Sequence, residues 1–529
     1  MATSVATLSL SGAQRERRRR ERGFATLLVT GLTALAVGVH GYHPYSEDGG
    51  LYMAGIKHLV DPGLYPHGTE FVTEHLRFSI FAPMVAGLVR VSHLSVETVL
   101  LVVQVASFWV TLFATWRLAT RCFASREARS GAVALLAAWM TLPIAGTALM
   151  LMDRYVTARS ISTPCALLAL EGALAFLMSD DATRAQRMRG LALCGGALAV
   201  AAMVHPLMAA DAMGCVLVLG CVSSGNRRVR VRGTFGLCAG AVGIAAALWK
   251  LTASDGAVYR EAAVTRYYWF LSEWRWYELV GLAAPLLILA MVAFGRRREG
   301  DGARVALARM AVASGLTAVA IAALFARVDS ASYLVARLQP LRVFQLVYVV
   351  MILVVGAAMA EKALRRRPMR WVAAMTMLCG VMLLVERQTF PASAHVELQG
   401  VMRTVAPQNA WEQAFVWIRR NTPKDALFAM DADYIARPGE DAQCFRAIAE
   451  RSVLPDYSKD GGEASITPAL AKAWAAGQAA QKGLNTKTDA ERVAALHPLG
   501  VSWVVLDRGA ATAFSCEFAN GAVKVCRLP

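Results

Sequence analysis

The sequence is short of charge. Only 18% of its 529 residues are Asp, Glu, Lys or Arg, against 56% hydrophobic residues and a mean hydropathy of +0.43. Soluble domains average about 45–50% apolar, so an ordinary soluble domain is excluded. The ten Cys include no C-x-x-C pair, which leaves zinc-site and thioredoxin chemistry unsupported. No G-x-x-x-x-G-K-[ST] stretch occurs, so a P-loop is missing. The internal repeats of many transporters are not evident either, and mid-span charges are few (Glu171, Asp211). No A-x-A site follows the first apolar run, so that run reads as an uncleaved signal anchor rather than a signal peptide.

Long apolar runs recur from Phe24 to Val385, the pattern of a polytopic α-helical membrane protein. The net charge of +17 would suit a nucleic-acid partner. Its distribution argues against one: the Arg residues form clusters between apolar runs, at 15–22, 121–129, 184–189, 227–232, 296–298 and 362–370. Such clusters stay on the cytoplasmic side of a membrane. If all six do, an even number of crossings separates each pair. Residues 78–92, "FSIFAPMVAGLVRVS", are then a helix lying in the outer interface, because 15 residues rise only about 22 Å. Residues 190–222 are a hairpin that turns at His205-Pro206, since Pro breaks helices.

The expected count is about 11 transmembrane helices, at residues 24–40, 96–119, 130–149, 161–178, 190–204, 206–222, 233–250, 276–294, 304–325, 341–360 and 371–386. The basic arm, residues 1–23, is cytoplasmic and everything beyond Arg387 is extracytoplasmic, so the protein belongs in the inner (plasma) membrane. A transmembrane domain at residues 24–390 carries its longest outer loop at 41–95. Residues 405–529 read as a small extracytoplasmic α/β domain. "NAWEQAFVWIRR" has helical spacing of Trp411, Phe415 and Ile418. "ALFAM", "RSVLPD" and "GVSWVVLD" read as strands and "CEFANGAVKVC" as a hairpin. Cys516 and Cys526 flank that hairpin and are disulfide candidates. A two-residue turn leaves them one step out of register, a three-residue loop aligns them, and Cys444 is a rival partner.

The chemistry concentrates in the outer loops. Glu47 and Asp48 stand just past the first span, in a loop rich in Tyr and His. Acids held near a membrane interface are costly without a purpose. Asp153 in "MLMDRYVTARS" has Arg154 and Arg159 beside it, so a local ion pair is its simplest role. Arg337 and Arg342 in "ARLQPLRVF" place cations at an outer helix mouth, where Arg suits a phosphate or a lipid headgroup. His205 at the hairpin turn reads as a cap or packing residue. Mid-span Glu171 is expected to be protonated or paired with another helix. Tyr267, Tyr268, Trp269, Trp274 and Trp276 read as an interfacial aromatic belt.

Taken together, Glu47-Asp48 followed by Tyr52, the segment at 75–94 and "WRLATRCF" at 116–123 resemble the opening of the GT-C superfamily of integral-membrane glycosyltransferases. That class includes protein O-mannosyltransferases and aminoarabinose transferases. The resemblance is best over the first 180 residues. The pair here is Glu-Asp where the family more often has Asp first, and "EHLRFS" stands where the family has Lys-Pro-Pro. The resemblance implies a polyprenyl-phosphate sugar donor among the membrane lipids and transfer on the outer face. It also implies that Asp48, with Glu47 second, is the base for the acceptor or a ligand for a divalent metal. Tyr52, Asp153, His205, Arg337 and Arg342 are the substrate-binding candidates. The rival classes are a transporter, flippase or glycan polymerase, and a non-catalytic membrane protein presenting its outer domain.

Overall fold

The computed structural model describes residues 2–178, 183–295, 301–402, 405–437, 441 and 443–529, with the backbone alone for 2–15, 17 and 18. The Arg cluster expected at 296–298 lies outside the described residues. The chain is mostly helical with one small C-terminal sheet. Among the described residues, nine helices are long and apolar enough to cross a membrane: Arg19–His40, Val96–Cys122, Arg159–Leu177, Arg184–Val204, Val229–Leu251, Trp276–Phe294, Gly302–Phe325, Leu334–Leu364 and Pro368–Thr389. Arg159–Leu177 and Leu334–Leu364 form the packed centre, whereas Val229–Leu251 and Pro368–Thr389 bury almost nothing. Phe235, Ile244, Leu251, Met369 and Leu384 on those outer helices are exposed, and apolar faces of that extent call for lipid or protein cover.

Two of the eleven expected spans are built differently. Residues 130–149 are not one helix: Arg126–Ala138 stops after 13 residues, and irregular backbone continues to Ala158. Pro143 supplies no amide donor there, Ala145 and Ala148 take φ of 44° and 55°, and a bridge between Pro143 and Met150 folds the segment back. Pro206–Val222 has 17 residues, about 26 Å of rise. The helix before it ends at Val204, so the break falls at His205-Pro206 as expected. Pro206 opens the new helix, where its missing N–H costs nothing. The segment read as interfacial is a 12-residue helix, Phe81–Ser92. Phe81, Val85 and Val89 are buried while Met84, Leu88 and Val91 are exposed.

The C-terminal domain contains β1 (Leu427–Ala429), β2 (Ser452–Val453), β3 (Trp503–Asp507), β4 (Cys516–Ala519) and β5 (Val523–Arg527) in the order β2-β1-β3-β5-β4. β1 runs parallel to β2 and β3, and β5 is antiparallel to β3 and β4. Ala410–Asn421 packs on the sheet through Trp411, Phe415 and Ile418. Its N-cap Asn409 accepts from the Trp411 amide at 2.8 Å. Cys516 and Cys526 form a disulfide. A β-bulge between Cys516 and Phe518, rather than loop length alone, sets the two opposite each other. Cys444 is a buried free thiol.

Candidate active site

The segment Tyr42–Ser46 places the acid pair. Three parts of the chain hold its backbone. The Tyr42 amide donates to the His395 carbonyl at 3.0 Å, the His43 amide to the Arg154 carbonyl at 3.0 Å, and the Cys444 amide to the Tyr45 carbonyl at 3.0 Å. The C-terminal end of the first long helix, the irregular segment 139–158 and the C-terminal domain therefore meet at this segment. Beneath it lies a buried polar chain. Each ring nitrogen of His43 faces a carboxylate, Nε2 that of Glu386 at 3.0 Å and Nδ1 that of Glu397 at 2.6 Å. The Arg154 Nε is 2.5 Å from the other Glu386 oxygen, and the Gln399 amide donates to Glu412 at 2.7 Å.

Glu47 and Asp48 are not in a loop, as the sequence suggested. They begin a helix, Glu47–Val60, where two carboxylates complement the positive end of the dipole. Glu47 itself takes φ +49°, a left-handed conformation that costs a non-glycine residue about 1–2 kcal/mol. The next residues, Gly49 and Gly50, are required by close packing. A Cβ on Gly49 would meet Tyr155 Cβ at 2.6 Å, and one on Gly50 would meet Cys444 Cβ at 2.2 Å. The acids thus sit at a crowded junction with their heads half exposed.

Arg159 organises the site. Its Nη2 lies 3.1 Å from Asp48 Oδ2 and 3.0 Å from Asp153 Oδ2, and its Nε donates to Asp153 at 3.0 Å. Asp153 is therefore an ion-pair partner, as expected, but of Arg159 alone; Arg154 turns to Glu386. Burial raises the Asp153 carboxyl and outweighs Arg159. Burial also pushes Asp48 up, but Arg159 and then Lys459 overcome it and hold Asp48 down at about 2. Asp48 is thus a fixed negative charge in this state.

Tyr52, one turn along, packs edge-on against His75 and Phe81 at centroid distances of 5.2 and 5.5 Å. Burial moves its hydroxyl up to about 12. Nδ1 of His205 accepts from the Met208 amide at 3.4 Å, the capping role expected of it. Its imidazole is driven down to about 3 by burial and then by the charges of Arg342 and Arg159. Arg342 accordingly belongs to the site: its field reaches both Asp48 and His205, and its Nε donates to Gln339 at 2.7 Å. Arg337 does not join it; its Nη1 donates to the Ile466 carbonyl at 3.3 Å, on the docked domain. Elsewhere, Glu171 pairs with Arg117 and Arg121 at 3.0 and 2.9 Å. Trp269 and Trp274 are core residues and not belt residues, Trp274 lying over Gly146.

Sequence reasoning missed what the C-terminal domain contributes. The Lys459 Nζ hydrogen-bonds the Glu47 carboxylate and stands 3.9 Å from Asp48 Oδ1. One turn on, buried Glu463 lies 3.7 Å from His75 Nδ1. Burial, then Asp460 and Asp48, push the Glu463 carboxyl far up. Burial pushes His75 down to about 4. Nothing in "SKDGGE" signals a partner some 400 residues upstream.

No protein-family model matches the chain, and no curated protein matches it. The site must therefore be read from its chemistry. It offers a carboxylate, two guanidiniums and an ammonium near the ends of apolar helices. A divalent ion fits this surrounding poorly. Lys459 presents its ammonium to both carboxylates, and among the described residues no group of three His, Cys, Asp or Glu is arranged to hold a metal ion.

Proposed function

We propose that this chain is a GT-C-type membrane glycosyltransferase that moves a sugar from a polyprenyl-phosphate donor to an acceptor on the outer face. In this reading the nine long apolar helices, with Pro206–Val222 and with Arg126–Ala138 continued by the irregular segment to residue 149, make eleven crossings. The N-terminus is cytoplasmic, and the α/β domain sits outside the inner membrane. The observation that carries the reading is the half-exposed Asp48 carboxylate set among Arg159, Arg342 and Lys459. A lipid phosphate needs cations at the interface, and Arg is suited to bind it in two-pronged fashion.

The chemistry follows from these groups. The acceptor oxygen attacks the anomeric carbon, and Asp48 takes the acceptor's proton. The bond from that carbon to the phosphate oxygen breaks, and the electron pair leaves with the polyprenyl phosphate, opposite Arg342 and Arg159. A carboxylate beside the reaction centre also favours the oxocarbenium-like transition state.

The test is turnover of labelled polyprenyl-phosphate sugars by the purified protein, followed as release of polyprenyl phosphate. Release that requires the protein supports the reading. Failure with every donor, together with unchanged surface glycans in a deletion strain, contradicts it.

A further inference from the structure

Asp48 is well placed for a base but poorly disposed to act as one, because it is neutralised. The group responsible is unusual. Lys459 is the first residue of Lys459–Ile466, and a cation at a helix N-terminus is opposed by the helix dipole. Its position does nothing for its own helix. The side chain is only 14% exposed, yet its head ends between two carboxylates that are 53% and 39% exposed.

The backbone under that side chain is clamped. Arg266 donates to the Ser458 carbonyl at 2.7 Å and to the Tyr457 carbonyl at 3.1 Å. The Lys459 amide donates to Asp456 at 2.5 Å. The stem, by contrast, is four flexible methylenes. The head can therefore move without the domain moving.

A destination lies nearby. Arg342 lines a small cleft with Thr147, Tyr268, Trp269 and Gln339. The cleft is too small to take a phosphate, so an anion would stand at its mouth against Arg342.

We propose that Lys459 is a displaceable counter-ion: it holds Glu47 and Asp48 neutralised until a lipid phosphate enters beside Arg342, then turns to that phosphate and frees Asp48. This rests on the lipid-phosphate reading of the site and makes donor binding the event that activates the base. Lys459 is a positioning residue in this scheme, since it sets the state of Asp48.

Other charged groups face Asp48 from every side. They are Glu47 and Tyr52 on its own helix, Asp153, Tyr155 and Arg159 from the second outer loop, and His75 and Glu463 at the domain contact. His205 and Arg342 complete the set. Arg159 remains when Lys459 leaves, so Asp48 stays ionised at neutral pH while its basicity rises.

The test uses the full-length protein in detergent with undecaprenyl phosphate as probe, read by thermal shift, and then the pH profile of turnover. Lys459→Met should weaken binding of the probe about tenfold and raise the donor KM more than it lowers kcat. It should also move the acid limb of kcat/KM up by about one pH unit, the size expected for losing an opposite charge at this range, and leave the acid limb of kcat in place. Lys459→Arg should restore binding. Glu47→Gln, which loosens the lysine from the other side, should tighten binding; it serves equally if Lys459→Met does not fold. Equal probe affinity in wild type, Lys459→Met and Glu47→Gln, with one acid limb, would overturn the proposal. A wild type that does not bind undecaprenyl phosphate would overturn the functional reading itself.

Discussion

At the scale of single residues, the site depends on one guanidinium serving two acids. Arg159 is 9% exposed at its side chain and Asp153 5%, so the pair has little water to fall back on. Removing one partner of a buried pair leaves an uncompensated charge and typically costs about 3–5 kcal/mol. Arg159→Met should therefore lower unfolding free energy by about 3 kcal/mol, measured by chemical denaturation in detergent. Adding Asp153→Asn should recover part of that loss, as coupled neighbours do. The residue types of the site were legible in the sequence, but most of their partners were not. Asp153 is next to Arg154 in the chain and bonds Arg159 instead, while Arg154 reaches Glu386 in a distant helix. Adjacent residues on irregular backbone point different ways, so adjacency carried no information about pairing. Arg337 and Arg342 show the same thing: five positions apart, one donates to the docked domain and the other to Gln339.

At the scale of elements, hydrophobic runs and Pro located most helices correctly, because burial and the missing amide act locally. The break at His205-Pro206 and the short helix Phe81–Ser92 are examples. Two elements escaped. The acid-bearing helix Glu47–Val60 opens with E-D-G-G, and its glycines, poor helix formers, concealed it; they are there for close packing against Tyr155 and Cys444. Residues 130–149 were apolar enough to suggest a span, but beyond Ala138 the chain is turned into a packed loop by Pro143 and two left-handed alanines. In the C-terminal hairpin, the bulge that aligns Cys516 with Cys526 is a backbone feature that side-chain spacing does not report. The bridge closes a loop with a sequence separation of 10. By loop-closure entropy, Cys516→Ala should cost about 2–3 kcal/mol. The effect should show as faster proteolysis of the hairpin, with little change at the distant acid pair.

At the scale of the molecule, the C-terminal domain is part of the site and not an appendage. It contributes Lys459 and Glu463, and it joins the buried chain that runs from Arg154 through Glu386, His43 and Glu397 to Glu412. That chain makes stability depend on pH. Burial lifts the Glu397 carboxyl from 4.5 to about 8, and burial with the neighbouring Glu397 lifts Glu412 as well. An acid whose pKa is raised by folding contributes fully below its unfolded value, and the contribution is lost as pH rises through the folded value. The melting temperature should therefore fall between about pH 4.5 and about pH 8. Glu412→Gln should flatten that slope, as read by thermal melts across the range; an unchanged slope would remove the carboxyl pair as its cause.

The account stands on Asp48 as the group that takes the acceptor's proton. The most direct measurement is turnover of a polyprenyl-phosphate sugar by Asp48→Asn beside wild type, at matched folding and donor saturation. Loss of general-base help is worth about 10²–10⁴ in rate. A fall of that size, with donor binding retained, is the predicted result. Turnover by Asp48→Asn within a few-fold of wild type would contradict the account and place the chemistry elsewhere in the chain.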